Sequence, residues 1–198
     1  MFHLTHLYCT EKAGGKHPAL LFGSTLLDLP IVAGNYLNWK HFTGMQPWFK
    51  KIKDPYLRKG LLSHVAVDYV GHGKLNPEWT QGTGYAYKWF EGRFPKLRGV
   101  RFHSAPEWFM ELYVAKTHTE AFALFGHAVK HVNLNAISDD LAQATGYDKK
   151  ILLGALERFI PFMRAINAGT RFFAHTSNSG QGREECLNAC ISAARTMI

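Results

Sequence analysis

His64, Asp68 and His72 recur at four-residue intervals in the run Leu61-Leu62-Ser63-His64-Val65-Ala66-Val67-Asp68-Tyr69-Val70-Gly71-His72. Imidazole and carboxylate are the nitrogen and oxygen ligands with which proteins hold zinc and similar ions. On a helix, positions i+4 and i+8 lie only about 40° and 80° round from i, so all three side chains line one stripe. The residues between them are apolar or aromatic, which predicts a helix buried almost all round. Burying these polar groups without partners costs roughly 1–3 kcal/mol each, and more for a charge. Two kinds of partner meet that cost: a metal ion, or a closed network of ordinary His–Asp hydrogen bonds.

Further metal-competent residues stand elsewhere. His6 lies in the first apolar segment. Asp28 ends the run Gly23-Ser24-Thr25-Leu26-Leu27-Asp28 before Leu29-Pro30. His41 precedes Phe42, and His103 stands four residues before Glu107. Each also has an ordinary structural reading. Asp28 can cap the turn before Pro30, His41 can be a loop histidine, and Ser104-Ala105-Pro106-Glu107 has the form of a capping box. Glu111 and His118 follow at helical spacing and are alternatives to Glu107.

The elements that must position these residues read as helices. We expect them near Leu4–Ala13, Ala19–Leu29, Pro47–Lys53, Pro55–Gly71, Pro106–Asn133, Ser138–Ala144, Lys149–Asn167 and Arg183–Met197. Asp54 before Pro55 is an N-cap followed by proline at the first helical position. Ser138-Asp139-Asp140 reads as an acidic helix start, and Gly71 and Gly73 read as a stop. Alternating β-branched runs are scarce. The expected fold is an all-α, multi-helix bundle, a single domain over residues 1–198 with the metal cluster in its core. Lys74–Phe102 and Gly169–Gly182 read as loops, the first rich in aromatic and basic residues and suited to a substrate wall.

The formal net charge of +8 favours anionic partners: a phosphate-containing small molecule or lipid, nucleic acid, or a membrane surface touched from outside. The most apolar stretch, Ala19–Gly34, is interrupted by Asp28 and Pro30 and is too short to span a bilayer. Three cysteines form no disulfide framework. With no signal-like N-terminal pattern, they lead us to expect a cytoplasmic protein. His127 and His131, four apart beside Lys130, read as a solvated face.

The order His6, Asp28, His41-Phe42, His64-x-x-x-Asp68, His72, His103-x-x-x-Glu107 resembles the zinc-dependent phospholipase C family and its fold relatives, the single-strand nucleases. The resemblance covers roughly the first 115 residues. It implies two or three zinc ions. One would be held by Asp28, His41, His64 and Asp68, and a second by His72, His103 and Glu107. A third would be held by His6 and a bridging Asp68, completed by the amine of Met1 or by His3. It also implies hydrolysis of a phosphate ester by a zinc-activated hydroxide, with Asp28 and Asp68 as catalytic carboxylates. The chain departs from the family in beginning Met1-Phe2 rather than with a processed tryptophan, and in the short gap from Asp68 to His72. Alternatives are non-hydrolytic small-molecule chemistry at the same metals (cyclisation, isomerisation or dehydration), or a metal that only staples the helices.

Overall fold

The computed structural model describes residues 3–30, 46–73, 82–94, 104–176 and 181–198. These residues form an all-α bundle, with no strand among them. The helices are α1 (His3–Lys12), α2 (Pro18–Gly23), α3 (Pro55–His72), α4 (Tyr85–Arg93), α5 (Ser104–Thr117), α6 (Ala121–His131), α7 (Leu134–Thr145), α8 (Lys149–Phe173) and α9 (Gln181–Arg195). Short 3₁₀ turns lie at Leu26–Asp28, Pro47–Lys51 and Ala174–Thr176. No helix of the described residues is long and apolar enough to cross a membrane.

The middle of the molecule is α3, which packs chiefly against α2 and α9. Its start is fixed as the sequence predicts. The Asp54 carboxylate accepts from the backbone N–H groups of Tyr56 and Leu57, and Pro55 follows it. Its end is equally defined, because Gly73 takes φ +64°, which favours glycine. The approach of α2 to α3 is closer than side chains allow: a Cβ on Gly60 would lie 2.3 Å from the Leu20 carbonyl oxygen and 2.8 Å from the Gly23 Cα. That contact brings the 23–28 segment, with Ser24 and Asp28, against the stripe of α3.

Two apolar clusters flank the stripe. The first gathers Leu21, Phe22, Leu26, Leu57, Leu61, Phe125, Leu141, Leu152 and Phe159. The second gathers Leu4, Cys9, Val67, Met110, Val114, Cys186, Leu187 and Cys190. Each fully buried large side chain contributes about 1.5–3 kcal/mol. Because α3 supplies Leu57 and Leu61 to one cluster and Val67 to the other, His64 falls where the two meet. A buried hydrogen bond of 2.7 Å between the Thr10 and Ser63 hydroxyls ties α1 to α3 beside it.

Several expected boundaries are corrected. The Pro106–Asn133 segment is two helices, broken at residues 118–120. There Thr117-His118-Thr119 have poor helix propensity, and the Thr117 hydroxyl donates back to the Tyr113 carbonyl. The Ala19–Leu29 segment is likewise split into α2 and a 3₁₀ turn. Helix α8 runs through Gly169 to Phe173, since one interior glycine costs only about 1 kcal/mol and Thr170 is buried. Helix α7 starts four residues early because Asn133 caps it. Asp140, expected in its first turn, is buried and accepts from the backbone N–H groups of Lys53 and Asp54. The 74–102 segment is not all loop: α4 packs against α3, with Ala86, Tyr87 and Phe90 buried. Helix α3 itself is not buried all round, for Tyr69 is 75% exposed.

Candidate metal centre

Asp68 is the hub of the site. It is buried, and three imidazoles surround its carboxylate. His6 Nε2 lies 3.1 Å from Oδ1, His64 Nε2 lies 3.1 Å from Oδ2, and His72 Nδ1 lies 3.8 Å from Oδ1. His64 and His72 come from the same stripe of α3, one turn to either side of Asp68, as their spacing dictates. His6 comes across from α1, and its ring stacks on that of His64 at 3.8 Å and an interplanar angle of 11°.

The environment sets the charges. Burial works against the Asp68 carboxylate, but the positive potential of His64, His6 and His72 outweighs it and holds the group well below the usual carboxylate range. Burial also opposes charge on His64, yet Asp68 beside it and Asp28 nearby raise its pKa. For His6, burial and the facing His64 prevail over Asp68, and its pKa falls. Of the stacked pair, His6 is thus the more readily neutral, the form that binds a metal ion.

His64 Nδ1 donates to the backbone carbonyl of Ser24 at 2.7 Å. That bond turns Nε2 toward Asp68, as the nitrogen that offers a lone pair once its proton is lost. A ligand histidine whose other nitrogen is held by a carbonyl is the usual outer support of a metal site. The His6, His64 and Asp68 ligand atoms all lie within 4.8 Å of one another, so the three form a group competent to hold a metal ion. The donor set of two nitrogens and an oxygen suits zinc-type coordination.

The other expected residues divide clearly. Glu107 sits with His72, its Oε1 lying 2.8 Å from Nε2, so its carboxylate faces the α3 stripe. Asp28 is buried at the end of its 3₁₀ turn, and its charge acts on His3, His6 and His64. His41, His103 and Met1 lie outside the described residues. His118 stacks on Tyr8 at 4.2 Å. Tyr87 of α4 meets His72 edge-on, with centroids 6.1 Å apart.

Glu111 and His3 form a second buried pair. Glu111 accepts from the backbone N–H groups of Leu4 and Thr5, from the Thr5 hydroxyl, and from His3 Nδ1 at 2.9 Å. The other ring nitrogen of His3 bonds Asn167 Oδ1. Glu111 and Asn167 thus hold the ring at its two nitrogens. Burial opposes charge on His3, but the Glu111 charge and hydrogen bond raise its pKa. Asn167 and the Ser24 carbonyl carry no signal in the sequence, because neither belongs to a ligand pattern.

The chain matches no family model, and no curated protein or solved structure matches it. Fold and site alone define its class: an all-α protein with a buried His/Asp group that can hold a metal ion.

Proposed function

We propose that this protein is a zinc-dependent hydrolase of phosphate esters, holding two or three zinc ions around Asp68. The observation that carries the reading is the Asp68 carboxylate set among three imidazoles, with Ser24 fixing the tautomer of one of them. In this reading His64, Asp68 and Asp28 hold one ion with His41. His72 and Glu107 hold another with His103. His6 and Asp68 hold the third.

Bound zinc supplies a water deprotonated near neutral pH and a Lewis acid for a phosphoryl oxygen. The protein's own residues prepare that chemistry. The Asp68 carboxylate, with one oxygen toward His64 and the other toward His6 and His72, is placed to bridge. Its depressed pKa keeps it ionised at neutral pH. Asp28, buried within electrostatic reach of His6 and His64, would orient the nucleophile or accept its proton. The apolar clusters on either side keep bulk water from the imidazoles, which strengthens every charge interaction within. The net charge of +8 draws an anionic substrate: a phospholipid head group, a nucleotide or a small phosphodiester.

Elemental mass spectrometry of purified protein, with a hydrolysis screen over phosphodiesters and phospholipids, tests the reading. The expected result is two or three zinc ions per chain, together with phosphate-ester cleavage that is lost on chelation and restored by zinc. Bound metal with no cleavage in the screen moves the site to non-hydrolytic chemistry. Protein that takes up no metal when supplied with zinc overturns the proposal.

A further inference from the structure

A cleft of about 370 Å³ opens between α6 and α8, lined by Phe122, Phe125, Gly126, Arg164, Asn167 and Arg171. Its size is that of a small-ligand site. Arg164, Asn167 and Arg171 are spaced i, i+3 and i+7, so they share one face of α8. Opposite them, α6 presents two phenylalanines, and Arg171 lies over the Phe122 ring at 4.6 Å.

The charge of these walls has one sign. Neither Ala121–His131 nor Phe159–Phe173 contains an aspartate or glutamate. Among the described residues, no carboxylate pairs with Arg164 or Arg171. Glu120, just before α6, pairs with Lys12 at 3.6 Å, and Glu111 is engaged with His3. The Asn167 carbonyl oxygen is engaged by the His3 ring, which leaves the amide N–H groups as the donors.

Gly126 gives the cleft its opening. A Cβ added there meets nothing within 4 Å, although the residue is within a regular helix. A larger side chain at this lining position has room beside the cleft without clashing with its walls.

We propose that this cleft is a binding site, separate from the metal centre, for a small phosphate-bearing molecule with an apolar body. Two planar guanidiniums and an amide offer more donors than a carboxylate's two oxygens use. They suit the three terminal oxygens of a phosphate. Phe122 and Phe125 receive the apolar part.

Titration calorimetry with phenylphosphonate, which carries the same three oxygens and no hydrolysable ester, tests the assignment. The proteins are wild type, Asp68→Ala, Arg164→Gln, Arg171→Gln and Gly126→Met. Expected are binding to wild type and Asp68→Ala alike, a loss of about tenfold or more in each arginine variant, and no binding to Gly126→Met. Gly126→Met keeps every charge and raises helix propensity, so it decides the matter even where an arginine variant fails to fold. Equal affinity across the three cleft variants overturns the proposal. So does binding that disappears in Asp68→Ala alone, which places the anion at the metal centre. Binding to anionic phospholipid vesicles with none to phenylphosphonate also overturns it, in favour of a lipid surface.

Discussion

Glu111 and Asp68 are both buried carboxylates that meet imidazoles, and their surroundings differ in kind. Glu111 is met by two backbone N–H groups, a hydroxyl and one imidazole, a set of donors that satisfies it without any ion. Asp68 faces imidazoles on both oxygens, and one of those rings is turned toward it by the Ser24 carbonyl. The first arrangement clamps the start of α1 to α5. The second gathers ligand-type nitrogens from two helices round one carboxylate. A carboxylate–histidine contact therefore says little by itself, and the remaining donors decide whether it is a clamp or a metal site.

Removing each carboxylate should separate the two roles most strongly. Asp68→Ala is expected to strip nearly all bound metal. Loss of an outer partner already costs roughly 10–100-fold in affinity, and Asp68 belongs to the group that can itself hold the ion. Metal analysis of wild type and variant side by side measures this. Equal metal in both breaks the distinction between the two regions.

Glu111→Ala is expected to act on folding instead. Removing one partner of a buried pair costs about 3–5 kcal/mol, here because the His3 imidazole and the start of α1 lose their acceptor. Urea unfolding of the metal-free protein reads that cost, while zinc per folded chain should match wild type. Unchanged stability, or metal loss as deep as that of Asp68→Ala, shows that Glu111 belongs to the metal site.

The same contrast explains what was legible in the sequence. The stripe of α3 was readable because its ligands are local: four-residue spacing on a helix fixes their direction whatever packs against it. The Asp54–Pro55 start and the Gly73 stop were readable for the same reason. The Glu111 clamp was not, because its partners are backbone groups at Leu4 and Thr5, and backbone donors leave no mark on residue type. Glu107 could be read as a cap or as a ligand. Only the tertiary fold, which brings Glu107 to the end of α3, sets it on His72. Helix α4 was hidden because glycines at 71, 73, 82, 84 and 92 surround it and look like a loop. Three of them serve close contact instead: a Cβ on Gly73 would lie 2.4 Å from the Gly84 nitrogen, one on Gly82 2.5 Å from the His72 carbonyl oxygen, and one on Gly84 2.4 Å from the Gly71 carbonyl oxygen.

The pH response should differ between the regions too. Glu111 has a lowered pKa, opposed by burial but driven by His3 and the backbone bonds, so its stabilising effect is present above the ordinary carboxylate range and fades as pH falls through its folded value. The His3 pKa is raised, so its effect is complete below the ordinary imidazole value of 6.5 and fades as pH rises through the folded value. His64 behaves alike in metal-free protein. A metal ion needs His64 neutral, so zinc must displace its proton. The rise in melting temperature on adding zinc should therefore grow from about pH 6 to about pH 8. Melting curves with chelator and with zinc measure it. A zinc effect flat across that range removes His64 from the ligands.

The smallest effect is expected at His127 and His131. They repeat the four-residue spacing of His64 and Asp68, and their rings lie 4.7 Å apart, so by spacing alone they are as good a pair. Both are exposed, however, and His131 Nδ1 is spent on the His127 carbonyl. Water solvates them, and Asp140, which lines the same pocket as His131, spends its carboxylate on the backbone N–H groups of Lys53 and Asp54. His131→Gln should change unfolding free energy by no more than about 0.5 kcal/mol and leave the zinc count untouched. A zinc ion lost with His131 would mean that spacing, rather than burial around a carboxylate, selects the metal in this protein.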